Sequence, residues 1–74
     1  NPATTSVNIF YSLADQETAH LSIYDILGNK LKEISLDNNV TIQNISLLGL
    51  SAGLYTYQFR SSLNKTYFGK FIIE

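Results

Sequence analysis

Few residues of this 74-residue chain have the type and spacing that catalysis or metal binding requires. His20 is the single histidine and cysteine is absent, so a zinc site made of nitrogen and sulfur ligands lacks its other ligands. Ser51 lies in a Gly-x-Ser-x-Gly stretch at 49–53, the pattern that exposes the nucleophile of many hydrolases, but that nucleophile requires a helix after the turn, and we interpret this stretch as a turn followed by a strand. We therefore expect no catalytic residue, no metal and no cofactor, and we interpret the protein as a non-enzyme.

The acidic residues are dispersed along the chain rather than paired. A glycosidase needs two carboxylates that face each other across a cleft, and a domain of this size leaves little room for a cleft. Solvation and turn formation are the roles that we expect for the six acids, which are Asp15, Glu17, Asp25, Glu33, Asp37 and Glu74.

Aromatic residues are the remaining candidates for a binding site. Exposed rings could form a platform on which sugars stack, but these rings alternate with polar residues and tryptophan is absent. The alternation favours a role in the core. The residues concerned are Tyr55, Tyr57, Phe59, Tyr67 and Phe71.

Length and composition indicate one small domain that spans residues 1–74. The net charge of −1, from five basic and six acidic residues, provides no footprint for nucleic acid or an anionic membrane. No apolar run approaches the roughly 20 residues of a membrane-spanning helix. The abrupt start at Asn1-Pro2 leads us to expect a module of a longer protein.

Apolar residues alternate with polar ones along most of the chain, which predicts β-strands. The clearest strand carries Tyr55, Tyr57 and Phe59 on one face, and Gly53 before it can adopt a positive φ. Gly69 should leave a gap for a neighbouring ring. No helical period is present, so we predict an all-β sandwich with strands at 6–13, 19–25, 30–36, 40–47, 54–60 and 66–73, preceded by a turn or linker at 1–3.

Several sequence blocks also occur in a distinctive order. They are Asn1-Pro2, the alternating segment 7–13, Tyr-Asp-Ile-Leu-Gly at 24–28, Leu-Ser-Ala-Gly-Leu-Tyr at 50–55 and Lys-Phe-Ile-Ile at 70–73. In this order they resemble the type A C-terminal sorting domain of type IX secretion, which is found on exported proteins of Bacteroidetes. The resemblance covers nearly the whole chain.

This resemblance implies an immunoglobulin-like β-sandwich of about seven short antiparallel strands at the end of a larger secreted protein. It implies that the outer-membrane translocon and its shuttle proteins recognise the folded domain in the periplasm. They export the upstream cargo domain to the cell surface or the medium, and a sortase usually removes the sorting domain.

The resemblance also assigns roles to individual residues. The glycines and the tyrosine of the family blocks would be critical for the fold, and the last strand would be critical for recognition. Many family members end on a further basic residue, whereas this chain ends on an acid. The fold-critical residues are then Gly28, Gly53 and Tyr55, and the recognition residues are Lys70, Phe71, Ile72, Ile73 and Glu74.

A different class of function also fits an all-β module. The domain could be an immunoglobulin- or fibronectin-like accessory module of an extracellular enzyme, acting as a spacer or a weak glycan binder. For either function, the last strand carries apolar residues on both faces. An exposed edge of this strand could pair with the same edge of a second copy, so a homodimer is also possible.

Overall fold

The computed structural model of the protein describes residues 2–3, 6–38 and 41–74, and the side chains of 6–38 and 41–74. Within these ranges no segment forms a helix, and hence none forms a helix long and apolar enough to cross a membrane. The prediction of an all-β fold is therefore confirmed. The strands are β1 (Pro2–Ala3), β2 (Ser6–Phe10), β3 (Ala19–Tyr24), β4 (Lys30–Leu36), β5 (Ile42–Ser46), β6 (Gly53–Ser61) and β7 (Thr66–Ile73).

The strands form two sheets that pack face to face. The larger sheet has the order β1-β7-β6-β3-β4, and the smaller sheet consists of β2 and β5. Every pair is antiparallel except β1 with β7, which is parallel. Because each sheet hides one apolar face against the other, the arrangement is a β-sandwich in which the larger sheet extends beyond the smaller one.

The core lies between the two sheets and follows the alternation of the sequence. In β3, Leu21 and Ile23 face the core at 2% and 1% exposure, and in β5 Ile45 meets them from the smaller sheet. The complete buried apolar cluster is Ala19, Leu21, Ile23, Leu36, Ile45, Leu47, Tyr55 and Ile73.

The predicted strands lie close to the observed ones. The segments predicted at 30–36 and 66–73 coincide with β4 and β7, and β6 is longer by one residue at each end than the segment 54–60. β2 ends at Phe10 rather than at residue 13, because beyond Tyr11, whose N–H donates to the Thr41 carbonyl at 3.0 Å, the chain turns at 14–17. The predicted start of the fourth strand, Val40, lies outside the described residues, as does Asn1 of the expected linker.

Pro2 and Ala3 form a strand where a turn or linker was expected. β1 pairs with the end of β7, with Pro2 opposite Ile72 and Ala3 opposite Ile73. Proline lacks an N–H group and is accepted on an edge strand. A strand of two residues is too short to show an alternation of apolar and polar side chains. Its pairing with the other end of the chain therefore could not be predicted from the local sequence.

Gly69 provides the space that the sequence predicted. It lies opposite Tyr57 in the β6–β7 pair, and a Cβ atom at position 69 would overlap the Tyr57 ring. The ring therefore occupies the place of the missing side chain. This contact fixes β6 and β7 in register.

Different strands begin and finish at the two ends of the larger sheet. At one end β3 and β7 finish and β6 begins, since Tyr24 pairs with Thr56 and Ile73 pairs with Gly53. We call this the terminal end, because the chain finishes there. At the opposite end, which we call the hairpin end, the turn that joins β6 to β7 follows Ser61.

Candidate functional site

The five C-terminal residues named by the family resemblance divide between the two faces of β7. Ile73 is 4% exposed in the core, and Phe71 is half-buried beside it. Lys70 and Ile72 lie on the opposite face, where Ile72 is 51% exposed, and Glu74 follows the strand and is exposed. Two of these residues therefore hold the strand in place, and three are accessible to a partner.

The outer face of β7 carries exposed apolar side chains. Leu54 of β6 lies opposite Ile72, and it is 43% exposed. Phe68 is 74% exposed and lies two residues before Lys70 on the same face. We call Leu54, Phe68, Lys70 and Ile72 the terminal surface. Neighbouring exposed apolar side chains are typical of a surface that contacts another protein.

β7 also leaves part of one edge unpaired. β6 pairs with it from Thr66 to Ile73, whereas β1 pairs on the other side with Ile72 and Ile73 alone. No other strand in the described part of the chain pairs with β7. Within the described residues, the outward-facing backbone groups between Thr66 and Phe71 therefore have no strand partner, which is the arrangement that a further strand can extend.

Gly28 belongs to a closed turn that joins β3 to β4. Its φ of 87° lies in the left-handed region, and its N–H donates to the Asp25 carbonyl at 3.1 Å. The Asp25 carboxylate accepts the N–H groups of Leu27 and Asn29, each at 2.9 Å, and the Asn29 side-chain amide at 3.1 Å. These hydrogen bonds, above all those from Asn29, lower the pKa of the Asp25 carboxyl.

Gly53 and Tyr55 hold the start of β6. Gly53 has a φ of 153°, which residues with a side chain rarely adopt, so its predicted positive φ is confirmed. The Tyr55 hydroxyl donates to the Ser51 carbonyl at 2.5 Å, which ties the strand back to the turn before it. The Tyr55 ring stacks on Phe71, with ring centroids 5.7 Å apart.

The residues of the family blocks thus meet at the terminal end. Gly53 lies opposite Ile73, and Tyr55 lies opposite Phe71, so the second block directly supports the last strand. The turn with Gly28 follows Tyr24 at the same end of the sheet. Their role in folding stays a prediction, for which this proximity supplies the physical reason.

The sequence did not reveal the burial of Glu17 at the hairpin end. Its side chain is inaccessible to solvent, so the expectation of a solvated acid is wrong, although its place in a turn was expected. Glu17 accepts the Ala14 N–H at 2.7 Å and pairs with Lys65 at 3.7 Å. The Ala14 N–H, the Ser61 hydroxyl and the charge of Lys65 lower the pKa of the Glu17 carboxyl.

The aromatic residues do not form an open platform. Tyr55 is buried, Tyr57 and Phe59 are half-buried against the core, and Tyr67 is 59% exposed. A cleft of 280 Å³ lies between the sheets near the hairpin end. Tyr57, Phe59 and Tyr67 contribute to its wall together with Glu17.

The described residues offer no metal-binding cluster, because no group of three or more histidine, cysteine, aspartate or glutamate residues converges among them. His20 lies on the outer face of the larger sheet, where its Nδ1 is 3.4 Å from the Ser35 hydroxyl. A single hydrogen bond to a neighbouring strand is ordinary for an exposed sheet residue.

Comparison with known protein families gives a match over the whole chain. A family model described as a secretion system C-terminal sorting domain matches residues 1–74. No protein of curated function and no solved structure matches the chain.

Proposed function

Since this chain belongs to the family of type IX secretion C-terminal sorting domains, we propose that it is a non-catalytic secretion signal recognised by the outer-membrane translocation machinery. The signal directs a cargo domain attached upstream of it across the outer membrane. The cargo then reaches the cell surface or the medium after transit through the periplasm.

The terminal surface is the observation that carries this proposal. Phe68 and Ile72 are large, exposed apolar side chains, and they lie beside Lys70 on the last strand, whose other face is anchored in the core. A partner that covers them removes apolar area from water, which favours binding. The folded strand presents them in a fixed order, so the receptor recognises shape as well as composition.

The unpaired edge of β7 supplies a second means of recognition. A strand of the translocation machinery that pairs with the backbone between Thr66 and Phe71 gains main-chain hydrogen bonds without any sequence requirement. The side chains of the terminal surface then provide the specificity. After export a sortase removes the domain, which packs its own core and can be separated from the cargo.

We favour this function over that of a glycan-binding accessory module. Sugar stacking needs exposed ring faces, whereas Tyr55, Tyr57 and Phe59 are buried or half-buried in the core. The cleft near the hairpin end, whose wall includes Tyr67, is a place where an oligosaccharide could bind. Saturable quenching of tyrosine fluorescence by oligosaccharides would support the accessory module instead.

An export assay tests the proposed function. Residues 1–74 are fused behind a signal peptide and a fluorescent reporter in a host with type IX secretion, and the same fusion is placed in a strain that lacks the translocon. We expect reporter fluorescence at the surface or in the medium of the first strain alone. Reporter that stays in the periplasm of both strains would contradict the proposal.

A further inference from the structure

Two neighbouring apolar residues at the terminal end are not part of the buried core. Ile26 and Leu27 form the tip of the turn between β3 and β4, and they are 71% and 82% exposed. The value for Leu27 is the largest among the large hydrophobic residues of the described chain. Turns usually place polar residues at such positions, so the pair requires an explanation.

The turn holds this tip rigidly. The Asp25 carboxylate accepts the N–H of Leu27 itself, at 2.9 Å, and Asp25 and Asn29 close the loop with a backbone hydrogen bond of 3.1 Å. Gly28 provides the left-handed residue that the closure needs. The conformational entropy of the turn backbone is therefore lost during folding and not during binding, which favours association with a partner.

The tip lies beside the terminal surface. Tyr24, two residues before Ile26, is opposite Thr56, and Leu54, two residues before Thr56, is opposite Ile72. The turn thus leaves the sheet at the level of Leu54 and Ile72 on adjacent strands. Neighbouring strands are about 4.8 Å apart, so roughly 10 Å separates the β3 and β7 positions. One protein surface of ordinary size covers both.

We propose that Ile26 and Leu27 are a second contact for the receptor that binds the terminal surface, and that they insert into an apolar pocket of that protein. This inference rests on the proposed secretion function. A protein partner fits better than a membrane, because the lysines nearest the tip in sequence, Lys30 and Lys32, are accompanied by two acids, Asp25 and Glu33. Asp25 adjoins the tip, and Lys30 is paired with Glu33 at 3.6 Å. An interfacial membrane site would present lysine or arginine around the apolar residues.

The test compares two variants in the export assay. In Ile26→Ser with Leu27→Ser, the tip loses both apolar side chains but keeps the turn. In Leu63→Ser, the control, a leucine that is 53% exposed at the hairpin end is changed in the same way. We expect export of the double variant to fall by about tenfold or more, as at an interface hot spot, and export of the control to stay at the wild-type level.

A second measurement separates binding from folding. The thermal midpoints of both purified variants should equal that of the wild type, because exposed side chains contribute little to stability. Export of the double variant at the wild-type level would overturn the inference. If the purified domain floats with lipid vesicles and this flotation requires Ile26 and Leu27, the proposal that the tip binds a protein is wrong. If the wild-type fusion itself is not exported, the proposed function has failed instead.

Discussion

At the scale of single residues, two acids define the two ends of the domain. Asp25 closes the turn at the terminal end, and Glu17 lies buried at the hairpin end beside Lys65. Both carboxylates accept backbone N–H groups, and both have a lowered pKa. A turn position could be predicted for each from the neighbouring residues. The burial of Glu17 could not, because it depends on Ser61 and Lys65, which are distant in sequence.

Glu17 should make the stability of the domain sensitive to acid. Its pKa is lower in the folded protein than the reference value of 4.5, so its contribution is complete above about pH 4.5. The contribution is lost as the pH falls through the folded pKa. Glu17→Gln should therefore lower the thermal midpoint at pH 7 and reduce the loss of stability between pH 4.5 and pH 3.

The control for this prediction is Glu33→Gln, which alters an exposed ion pair with Lys30. Exposed pairs contribute little, so this variant should follow the wild type closely. The measurement is the thermal midpoint by circular dichroism at intervals between pH 7 and pH 3. Parallel pH curves for Glu17→Gln and the wild type would contradict the structural role of the carboxylate.

At the scale of the elements, the pair β6–β7 depends on the contact between Tyr57 and Gly69. Gly69→Ala should destabilise the domain by about 1–3 kcal/mol, because the new methyl group overlaps the ring. In the background Tyr57→Leu the same substitution should cost less, since the ring is gone. Urea unfolding of the four proteins measures both costs. If Gly69→Ala lowers the free energy of unfolding equally in both backgrounds, overlap with the Tyr57 ring is not the cause of the destabilisation.

The strands show how far alternation predicts structure. β4 and β7 were predicted with their observed bounds, because each is a short run with several apolar residues that begins after a cluster of turn residues, although β7 carries apolar residues on both of its faces. The two-residue period of a strand predicts that Lys70 and Ile72 share one face and that Phe71 lies on the other, but it does not predict which face is buried, because both carry apolar residues. It contains no information about β1, whose pairing joins opposite ends of the chain. Nor does it predict that the Asp25–Asn29 turn would expose Ile26 and Leu27 on a rigid tip.

At the scale of the whole molecule, the terminal end collects the features that concern recognition. Gly53 and Tyr55 lie opposite Ile73 and Phe71 of the last strand there, and the exposed side chains of Leu54 and Ile72 lie at the same end. The hairpin end instead holds the buried Glu17 and its partners. We therefore interpret the hairpin end as structural support and the terminal end as the part that a receptor contacts.

The unpaired edge of β7 should also allow two copies to associate when no receptor is present. In an antiparallel pair of edges centred on Phe68, residue 68 of each copy lies opposite its counterpart. Phe68→Lys places like charges together and should shift the equilibrium to monomer. Light scattering after size-exclusion chromatography, over a range of concentrations, measures this. A monomer at all concentrations in the wild type would contradict the homodimer.

The most direct test of the central claim compares two matched pairs of exposed residues in the export assay. Phe68 and Ile72 belong to the terminal surface and are 74% and 51% exposed. Phe10 and Ile42 face each other on the smaller sheet and are 73% and 49% exposed. Both pairs are changed to serine in separate fusions. Translocon-dependent export should be lost in Phe68→Ser with Ile72→Ser and kept in Phe10→Ser with Ile42→Ser. Equal export of the two variants would contradict recognition through the terminal surface.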